Sequence, residues 1–265
     1  MKTIVFGDIH GRSIWKDIMK VEYDADRYVF LGDYVTSREN ISEEDQIKNL
    51  KELFDWADEM NKYTPGRVVL LRGNHDMEAL GYPWAECRPR FYDRYLANNR
   101  EWFLSHTQWV FVENDVVYAH AGVTKTWMKN VGLDKVEDIN SLEPSKNFGF
   151  WACRFSDYYG DSVTQPPTWI RPWGLFGDSF GKYTYVVGHT TTDDIVFTRQ
   201  ESLDSYLASY FDDNCPPDKN TIKMIEEAND VITCDTLGKG IYLVVEDGKF
   251  IPTNLKSNNN LNILI

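Results

Sequence analysis

Residues that can bind a metal recur at similar places along this sequence. Four of the five histidines, His10, His75, His120 and His189, follow short apolar segments and stand close to carboxylates or an amide. Ionisable groups in a folded core are costly unless they are paired or hold a metal, so we interpret this recurrence as a metal site. The predicted ligands are Asp8, His10, Asp33, Asn74, His120 and His189.

The donor atoms of this set predict the kind of metal. Asp8 and His10 are two positions apart at the end of a predicted strand, so we expect both side chains to point to one side. Asp33 follows the next strand, and its carboxylate can bridge two cations. The set mixes oxygen with imidazole nitrogen, has no thiolate and exceeds four ligands. It therefore favours two divalent transition metals, Mn²⁺ first and Fe or Zn²⁺ as alternatives. Two such ions about 3.5–4 Å apart can clamp phosphorus for in-line displacement.

Short strands must position these residues. Runs of β-branched and aromatic residues that end near glycine or a polar residue predict buried strands, at 3–6, 28–31, 68–71, 116–119, 183–187 and 231–234. Apolar residues at helical spacing predict helices at 12–20, 42–60 and 91–99, the second of which opens with a plausible capping box at Ser42. The alternation predicts βαβ units in a layered α/β fold, with the site in loops at the carboxyl ends of the strands.

The composition is that of a folded, acidic protein. The 265 residues are 42% hydrophobic and 26% charged, with a formal net charge of −13 at pH 7. This charge disfavours long nucleic acid as a partner, since affinity for a phosphate backbone needs basic surface. No apolar run approaches the roughly 20 residues that span a bilayer, and four scattered cysteines without a CxxC pair are typical of a reducing compartment. We predict a cytoplasmic monomer with no membrane partner.

One segment differs from the rest of the predicted single domain of residues 1–265. Residues 148–185 hold twelve aromatic side chains, and their prolines and glycines argue against one long helix. The segment is either an ordinary excursion that packs its own aromatic residues or a lid over the site, since long ordered loops in compact domains are usually functional. The Asn-rich stretch from about 257 is predicted to be a mobile tail.

Five motifs in order resemble those of the calcineurin-like metallophosphoesterases. They are GDIHG at 7–11, GDYV at 32–35, RGNHD at 72–76, HAG at 120–122 and GHT at 188–190. The chain is most similar to the phosphoprotein phosphatase branch and its bacterial and phage members, and WACR at 151–154 and ITCDTLG at 232–238 agree with that pattern. The resemblance implies a four-layer α/β/β/α sandwich of two mixed sheets, with a dimetal site at the carboxyl ends of the strands.

The resemblance also implies a role for each residue of the site. Asp8, His10 and His189 would hold the first metal, Asp33 would bridge, and Asn74 and His120 would hold the second. His75 would stand beside the metals as general acid, which suits an imidazole at neutral pH. The implied reaction is hydrolysis of a phosphate ester by a metal-bound hydroxide, in which bridging Asp33 also counts as catalytic.

The second motif departs from the phosphoprotein phosphatase pattern, Gly-Asp-x-Val-Asp-Arg-Gly. In that pattern the second Asp orients the catalytic His and the Arg grips phosphate, whereas Thr36 and Ser37 stand at those positions here. The substrate phosphate must therefore meet another guanidinium. We predict Arg154 for this role, with Arg38 and Arg171 as alternatives, and Asn74 as a further contact.

Three functions remain open on the sequence. A phosphomonoesterase of the serine/threonine protein phosphatase type, acting on a phosphoprotein or a small phosphate ester, is favoured by the order of the motifs. A hydrolase of dinucleoside polyphosphates or other nucleotides is the alternative, because the diadenosine-tetraphosphatase relatives also lack the second Asp. A non-catalytic metal-binding scaffold is disfavoured, since no predicted ligand is missing and His75 is present.

Overall fold

Strands and helices alternate along the first part of the computed structural model, which describes residues 1–37, 39–82, 94–143, 150, 162–208 and 218–259. Within these ranges the strands are β1 (Lys2–Phe6), β2 (Arg27–Phe30), β3 (Val68–Leu70), β4 (Val110–Glu113), β5 (Val116–Ala119), β6 (Thr184–Thr191), β7 (Val196–Phe197), β8 (Val231–Asp235), β9 (Ile241–Glu246) and β10 (Lys249–Asn254). The α-helices are α1 (Trp15–Val21), α2 (Glu43–Tyr63), α3 (Asn74–Ala79), α4 (Arg94–Asn98), α5 (Arg100–His106), α6 (Lys125–Val131), α7 (Pro172–Asp178), α8 (Thr198–Ala208), α9 (Lys219–Glu227) and α10 (Leu255–Asn259).

The strands form two mixed sheets. The first has the order β10-β9-β1-β2-β3 and the second the order β4-β5-β6-β8-β7. The central strands run parallel, β1 to β2 and β2 to β3 in one sheet, and β5 to β6 and β6 to β8 in the other. Antiparallel strands flank them, β9 and β10 on one side of the first sheet and β4 and β7 on the two sides of the second. Each sheet therefore gathers the carboxyl ends of three parallel strands at one edge, where open α/β sheets place their sites.

The central strands are buried on both faces, which explains why they appear in the sequence as short continuous apolar runs. On β1, Val5 belongs to a core cluster between the sheets, together with Val186 and Ile232 of the other sheet. Its neighbour Ile4 belongs to the cluster that includes Trp15 of α1. Helices α7 and α8 contact β8 on the second sheet. Two sheets with helices on both sides confirm the predicted four-layer α/β/β/α fold.

The predicted helices are present with shifted ends. Residues 12–20 give α1, and residues 42–60 give α2, which begins after Ser42 because the Ser42 hydroxyl accepts a hydrogen bond from the Asp45 backbone N–H at 3.1 Å. Of the helix predicted at 91–99, the structure describes α4, and residues 91–93 lie outside the described ranges. The expectation of a loop after every site-bearing strand is wrong at β6, because that strand continues to Thr191 and includes His189. After β3, residues 71–73 lead into α3, which begins at Asn74. There the Asp76 carboxylate accepts a hydrogen bond from the Gly73 N–H at 2.8 Å and caps the helix.

Four strands were not predicted, namely β4, β7, β9 and β10. Three of them carry partly exposed side chains, so they lack the uninterrupted apolar run of the central strands. The predicted lid at 148–185 falls partly on residues 148, 149 and 151–161, which lie outside the described ranges, and it stays a prediction, as does the single domain. The same holds for the tail, since α10 ends at Asn259 and residues 260–265 are not described. None of the described helices is long and apolar enough to cross a membrane.

Gly7, directly after β1, lets the first sheet approach β8 closely. A Cβ atom at Gly7 would lie 2.0 Å from the carbonyl oxygen of Cys234. We expect Gly7→Ala to lower the free energy of unfolding by about 3 kcal/mol, because backbone atoms cannot rotate away as a side chain can. Gly177 in α7 is the matched control, since a Cβ there meets nothing within 4 Å. Similar urea midpoints for Gly7→Ala and Gly177→Ala would contradict this account.

Candidate metal centre

Three buried side chains from the two sheets meet at one point. The ligand atoms of Asp8, Asp33 and His120 all lie within 4.8 Å of one another. Asp8 and Asp33 follow β1 and β2 of the first sheet, whereas His120 follows β5 of the second. The centre therefore lies where the carboxyl ends of the parallel strands of both sheets come together.

The other three predicted ligands lie next to this group. Asn74 Oδ1, at the start of α3, is 2.9 Å from His120 Nε2 and 2.9 Å from His189 Nδ1. His10 Nε2 is 3.8 Å from Asp8 Oδ2 and 3.9 Å from an oxygen of Asp33. The structure thus brings together all six residues for which the sequence predicts metal binding.

Backbone carbonyls fix two of the imidazole rings. His10 Nδ1 is 3.1 Å from the Val35 carbonyl oxygen, and His120 Nδ1 is 2.9 Å from that of Leu31. Because a carbonyl only accepts, each Nδ1 carries the proton and each Nε2 presents a lone pair to the centre, the arrangement that orients a metal-binding histidine. Burial lowers the pKa of His120 to about 3, so this ring is neutral at physiological pH.

The contact between His120 and Asn74 tests whether a cation fits. A deprotonated His120 Nε2 faces the carbonyl oxygen of Asn74, so two lone pairs point at each other at 2.9 Å. Two ligands at roughly 2.1 Å from one ion and at a right angle are about 3 Å apart. The separation is therefore the one expected for neighbouring ligands of one metal ion, and the donor set suits a divalent transition metal.

The two buried carboxylates also favour a bound cation. Asp8 and Asp33 are each 1% exposed, and within the described residues neither forms an ion pair with lysine or arginine. Burial raises the pKa of both carboxyls well above the usual range; the charge of Asp235 adds to this at Asp8, and the charge of Asp8 adds to it at Asp33. A cation bound between them would offset the cost of two buried like charges.

Three of the proposed ligands have unusual backbone conformations. The φ angles of His10, Asp33 and His189 are 46°, 52° and 62°. Non-glycine residues in this left-handed region are uncommon and collect at functional sites. Asp8 and His10 do lie at the same centre, but strand alternation does not explain it. β1 ends at Phe6, and His10 lies in a left-handed turn beyond the strand.

Asp76 holds the loops of the centre, a role that the sequence analysis missed. Its carboxylate accepts hydrogen bonds from the backbone N–H groups of Asp33, Tyr34 and Gly73 at 2.8, 2.7 and 2.8 Å. Burial raises the pKa of Asp76 to about 7, against the effect of these hydrogen bonds. The only sequence signal for this role is its place in the RGNHD motif.

His75, the second residue of α3, lies beside the ligands. Its ring centroid is 5.3 Å from that of His10, edge-on, and its backbone N–H donates to Asp33 Oδ1 at 2.9 Å. The side chain is 13% exposed. A position next to the centre and partly open to solvent is the one that a general acid needs.

Of the three arginines predicted to bind phosphate, the structure describes Arg171. Its Nη1 donates to the His189 carbonyl oxygen at 3.2 Å and to the Thr190 hydroxyl at 3.0 Å, which holds the guanidinium beside a proposed ligand. Burial lowers the pKa of His189 well below its usual value, and the positive charge of Arg171 acts in the same direction. Arg38 and Arg154 lie outside the described residues.

Arg12 lies beside the centre, and the sequence analysis did not include it among the candidate site residues. It lines a cleft of about 270 Å³ that also contacts His10. Its Nε donates to Glu39 at 2.5 Å, and its Nη1 donates to the backbone carbonyl of Asp8 at 3.3 Å. The signal was available, because a basic residue directly follows the GDIHG motif.

Fold and centre together define a four-layer α/β protein built to hold divalent metal. The sequence profile described as calcineurin-like phosphoesterase matches residues 1–215, so the chain belongs to the calcineurin-like phosphoesterase family. The family is divalent-metal dependent, and the chain is accordingly a hydrolase acting on phosphate esters, as the sequence predicts. No curated protein sequence matches this chain.

Several solved structures are similar to this chain. The cold-active protein-tyrosine phosphatase of the psychrophile Shewanella sp. superposes with a TM-score of 0.59 at 18% identity, over 96% of this chain and 78% of that one. A serine/threonine phosphatase from Saccharomyces cerevisiae gives a TM-score of 0.49 at 16% identity, over 96% and 79%. A metallophosphoesterase from Sphaerobacter thermophilus gives 0.47 at 13%, over 100% and 95%. At 18% identity, the likeness to the Shewanella structure shows the fold and leaves the substrate open.

The two buried carboxylates generate a prediction about stability without metal. In chelator, we expect Asp33→Asn to be at least as stable as the wild type, because it removes one of two like charges from a buried site. A metal at 100 times its Kd should stabilise the wild type by about 2.7 kcal/mol and the variant much less. Thermal unfolding with and without Mn²⁺ measures both effects.

The control for this comparison is Asp115→Asn, which changes an exposed acid. It should leave the response to Mn²⁺ as in the wild type. Equal stabilisation of Asp33→Asn and the wild type by Mn²⁺ would show that Asp33 is not a ligand.

Proposed function

We propose that this chain is a phosphomonoesterase that holds two divalent transition metals, with Mn²⁺ as the first choice and Fe or Zn²⁺ as alternatives. The observation that carries the proposal is the convergence of six oxygen and nitrogen donors on one place. The proposed ligands are Asp8, His10 and His189 for the first metal, Asp33 as the bridge, and Asn74 and His120 for the second. Bound divalent cations would neutralise phosphate and lower the pKa of a bound water to about 7, which supplies a nucleophile.

The protein's own groups then bind and protonate the substrate. Asn74 stands between two imidazoles, where its amide can also contact a phosphate oxygen. His75 gives its proton to the leaving oxygen, because an alkoxide leaves far more readily once protonated. Family membership overturns the alternative of a non-catalytic scaffold.

A guanidinium must meet the outward oxygens of the phosphate. Arg154 stays our first prediction and Arg38 an alternative, while Arg171 gains support from its anchored position beside His189. Changing the residue that binds the phosphate to alanine should lower kcat/KM by the factor that corresponds to about 1.5–3 kcal/mol of transition-state binding. This is the range for a hydrogen bond to a charged group. Steady-state kinetics of Arg154→Ala and Arg171→Ala, with metal content measured in parallel, decide between the two. A near-wild-type Arg154→Ala would move the role to Arg171 or Arg38.

The proposed substrate is a phosphoprotein or a small phosphate monoester, of the serine/threonine protein phosphatase type. A dinucleoside polyphosphate is the second candidate, and one observation favours it. The cleft beside His10 is also lined by Arg12 and Lys239, which would suit a second phosphate group. Both cations already pair with acids, Arg12 with Glu39 and Lys239 with Asp193, so the monoester remains first.

A substrate panel tests this function. The metal-loaded protein should hydrolyse a generic aryl phosphate. Among candidate natural substrates, it should hydrolyse a phosphoserine peptide faster than a mononucleotide or a dinucleoside polyphosphate. Chelator and Asp8→Asn should both abolish turnover. Activity that persists in excess chelator would overturn the metal-dependent reading, and preference for the dinucleoside polyphosphate would select the alternative.

The role of His75 gives a separate prediction. We expect His75→Asn to keep its metal but to lower kcat for alkyl phosphates by roughly 10²–10⁴, the usual contribution of a general acid. The loss should be much smaller for aryl phosphates, whose leaving groups need no proton. His106→Asn is the control, since His106 lies near Asp58, at 3.1 Å, and outside the centre. Equal losses for aryl and alkyl substrates would show that His75 has another role.

A further inference from the structure

A general acid must be held in one orientation, and the residue that does this for His75 is not evident from the sequence. Thr36 stands where the phosphoprotein phosphatase pattern has its orienting acid, and threonine carries no carboxylate. Thr36 is buried and has a φ of 66°. The obvious neighbouring acid, Asp76, is already committed to three backbone N–H groups.

Glu78 faces the imidazole instead. It follows His75 by three positions in α3, so the two side chains lie on the same side of the helix. The distance from His75 Nδ1 to Glu78 Oε2 is 3.5 Å, and the Glu78 side chain is 6% exposed. The Glu78 carboxylate is thus buried next to Nδ1 of His75, which leaves the other ring nitrogen, Nε2, available as the proton donor.

One atom of each side chain has no hydrogen-bond partner among the described residues. Within the part of the chain that the structure describes, His75 Nδ1 and Glu78 Oε1 are buried and form no hydrogen bond. A buried polar atom without a partner is costly. Shortening the 3.5 Å contact to the roughly 2.8 Å of a charge-assisted hydrogen bond would satisfy the ring nitrogen with a side-chain movement of less than 1 Å.

We propose that Glu78 is the positioning residue of His75 and takes the role that the acid at the place of Thr36 has in the family pattern. This inference rests on the proposed function. His75 Nδ1–H donates to Glu78, so Nε2 carries the transferable proton. In the step, the oxygen of a hydroxide bonds to phosphorus while the P–O bond to the leaving group breaks with its electron pair on the leaving oxygen. That oxygen takes the proton from Nε2, and the electron pair of the Nε2–H bond stays on the nitrogen. The imidazole is left neutral with its Nδ1–H still bonded to Glu78.

The first test uses two substitutions and a double-mutant cycle. Glu78→Met removes the acceptor at similar size, and Glu78→Gln keeps an acceptor oxygen without the charge. For an alkyl phosphate we expect kcat to fall about 100-fold in Glu78→Met and about tenfold in Glu78→Gln, with KM and metal content within twofold of wild type. In a His75→Asn background, Glu78→Met should cause no further loss, because a residue that acts through His75 has nothing left to orient.

The matched control is Glu22→Met. Glu22 is buried to the same extent but lies away from the centre, where it accepts a hydrogen bond from Tyr242 Oη at 2.6 Å. Thermal unfolding reports any effect of this substitution on stability, and the ratio of alkyl to aryl phosphate turnover should stay unchanged. A change of that ratio in Glu22→Met equal to that in Glu78→Met would overturn the proposal.

The second test does not need activity. Nitrogen-15 NMR of labelled histidine in the metal-free protein shows which ring nitrogen of neutral His75 carries the proton. We expect the Nδ1–H form in the wild type and in Glu78→Gln, and a shift towards the Nε2–H form in Glu78→Met. An unchanged ring proton in Glu78→Met, or a full additional loss of kcat in the His75→Asn background, would overturn the role of Glu78. A wild type that hydrolyses no phosphate ester would overturn the proposed function, while the NMR result would still decide the pairing of Glu78 with His75.

Discussion

Two buried carboxylates at the meeting of two sheets are the constraint on which the rest of this structure depends. Asp8 and Asp33 lie close together with 1% of each residue exposed, and within the described residues neither forms an ion pair with lysine or arginine. Such a pair is stable only with a cation nearby or with its protons retained. The imidazoles of His10 and His120, fixed by backbone carbonyls, offer neutral donors that complete a cation site without adding charge.

Helix α3 links this constraint to chemistry. Within its first turn it presents an amide to the centre at Asn74, an imidazole beside it at His75, and a carboxylate to the loop backbone at Asp76. The start of the helix is fixed by Asp76 and by the bond from the His75 N–H to Asp33. A single short element therefore couples the shape of the metal-binding loops to the position of the group that handles the proton.

The sequence predicts the central strands and the set of residues that converge. It does so because strands buried on both faces produce short apolar runs, and polar residues at their carboxyl ends stand out against them. It does not predict edge strands such as β7 and β10, whose partly exposed side chains give no such run. It also does not predict the left-handed conformation of His10, since that depends on contacts with the loop after β2. The role of Asp76 is not predicted for a similar reason, because the backbone of Asp33 and Tyr34 comes near it only in the folded chain. The role of Glu78 is not predicted because it depends on α3, a helix that the sequence pattern does not indicate.

The centre draws on residues from Asp8 to His189, on strands of both sheets. No short stretch of the chain can assemble it, because a metal site with ligands so far apart does not exist in the unfolded state. During synthesis, domains fold as units while the chain emerges from its amino terminus. A ribosome-bound chain would thus carry an incomplete centre until His189 had emerged. Binding of metal to the nascent chain would then show that the second sheet had packed against the first.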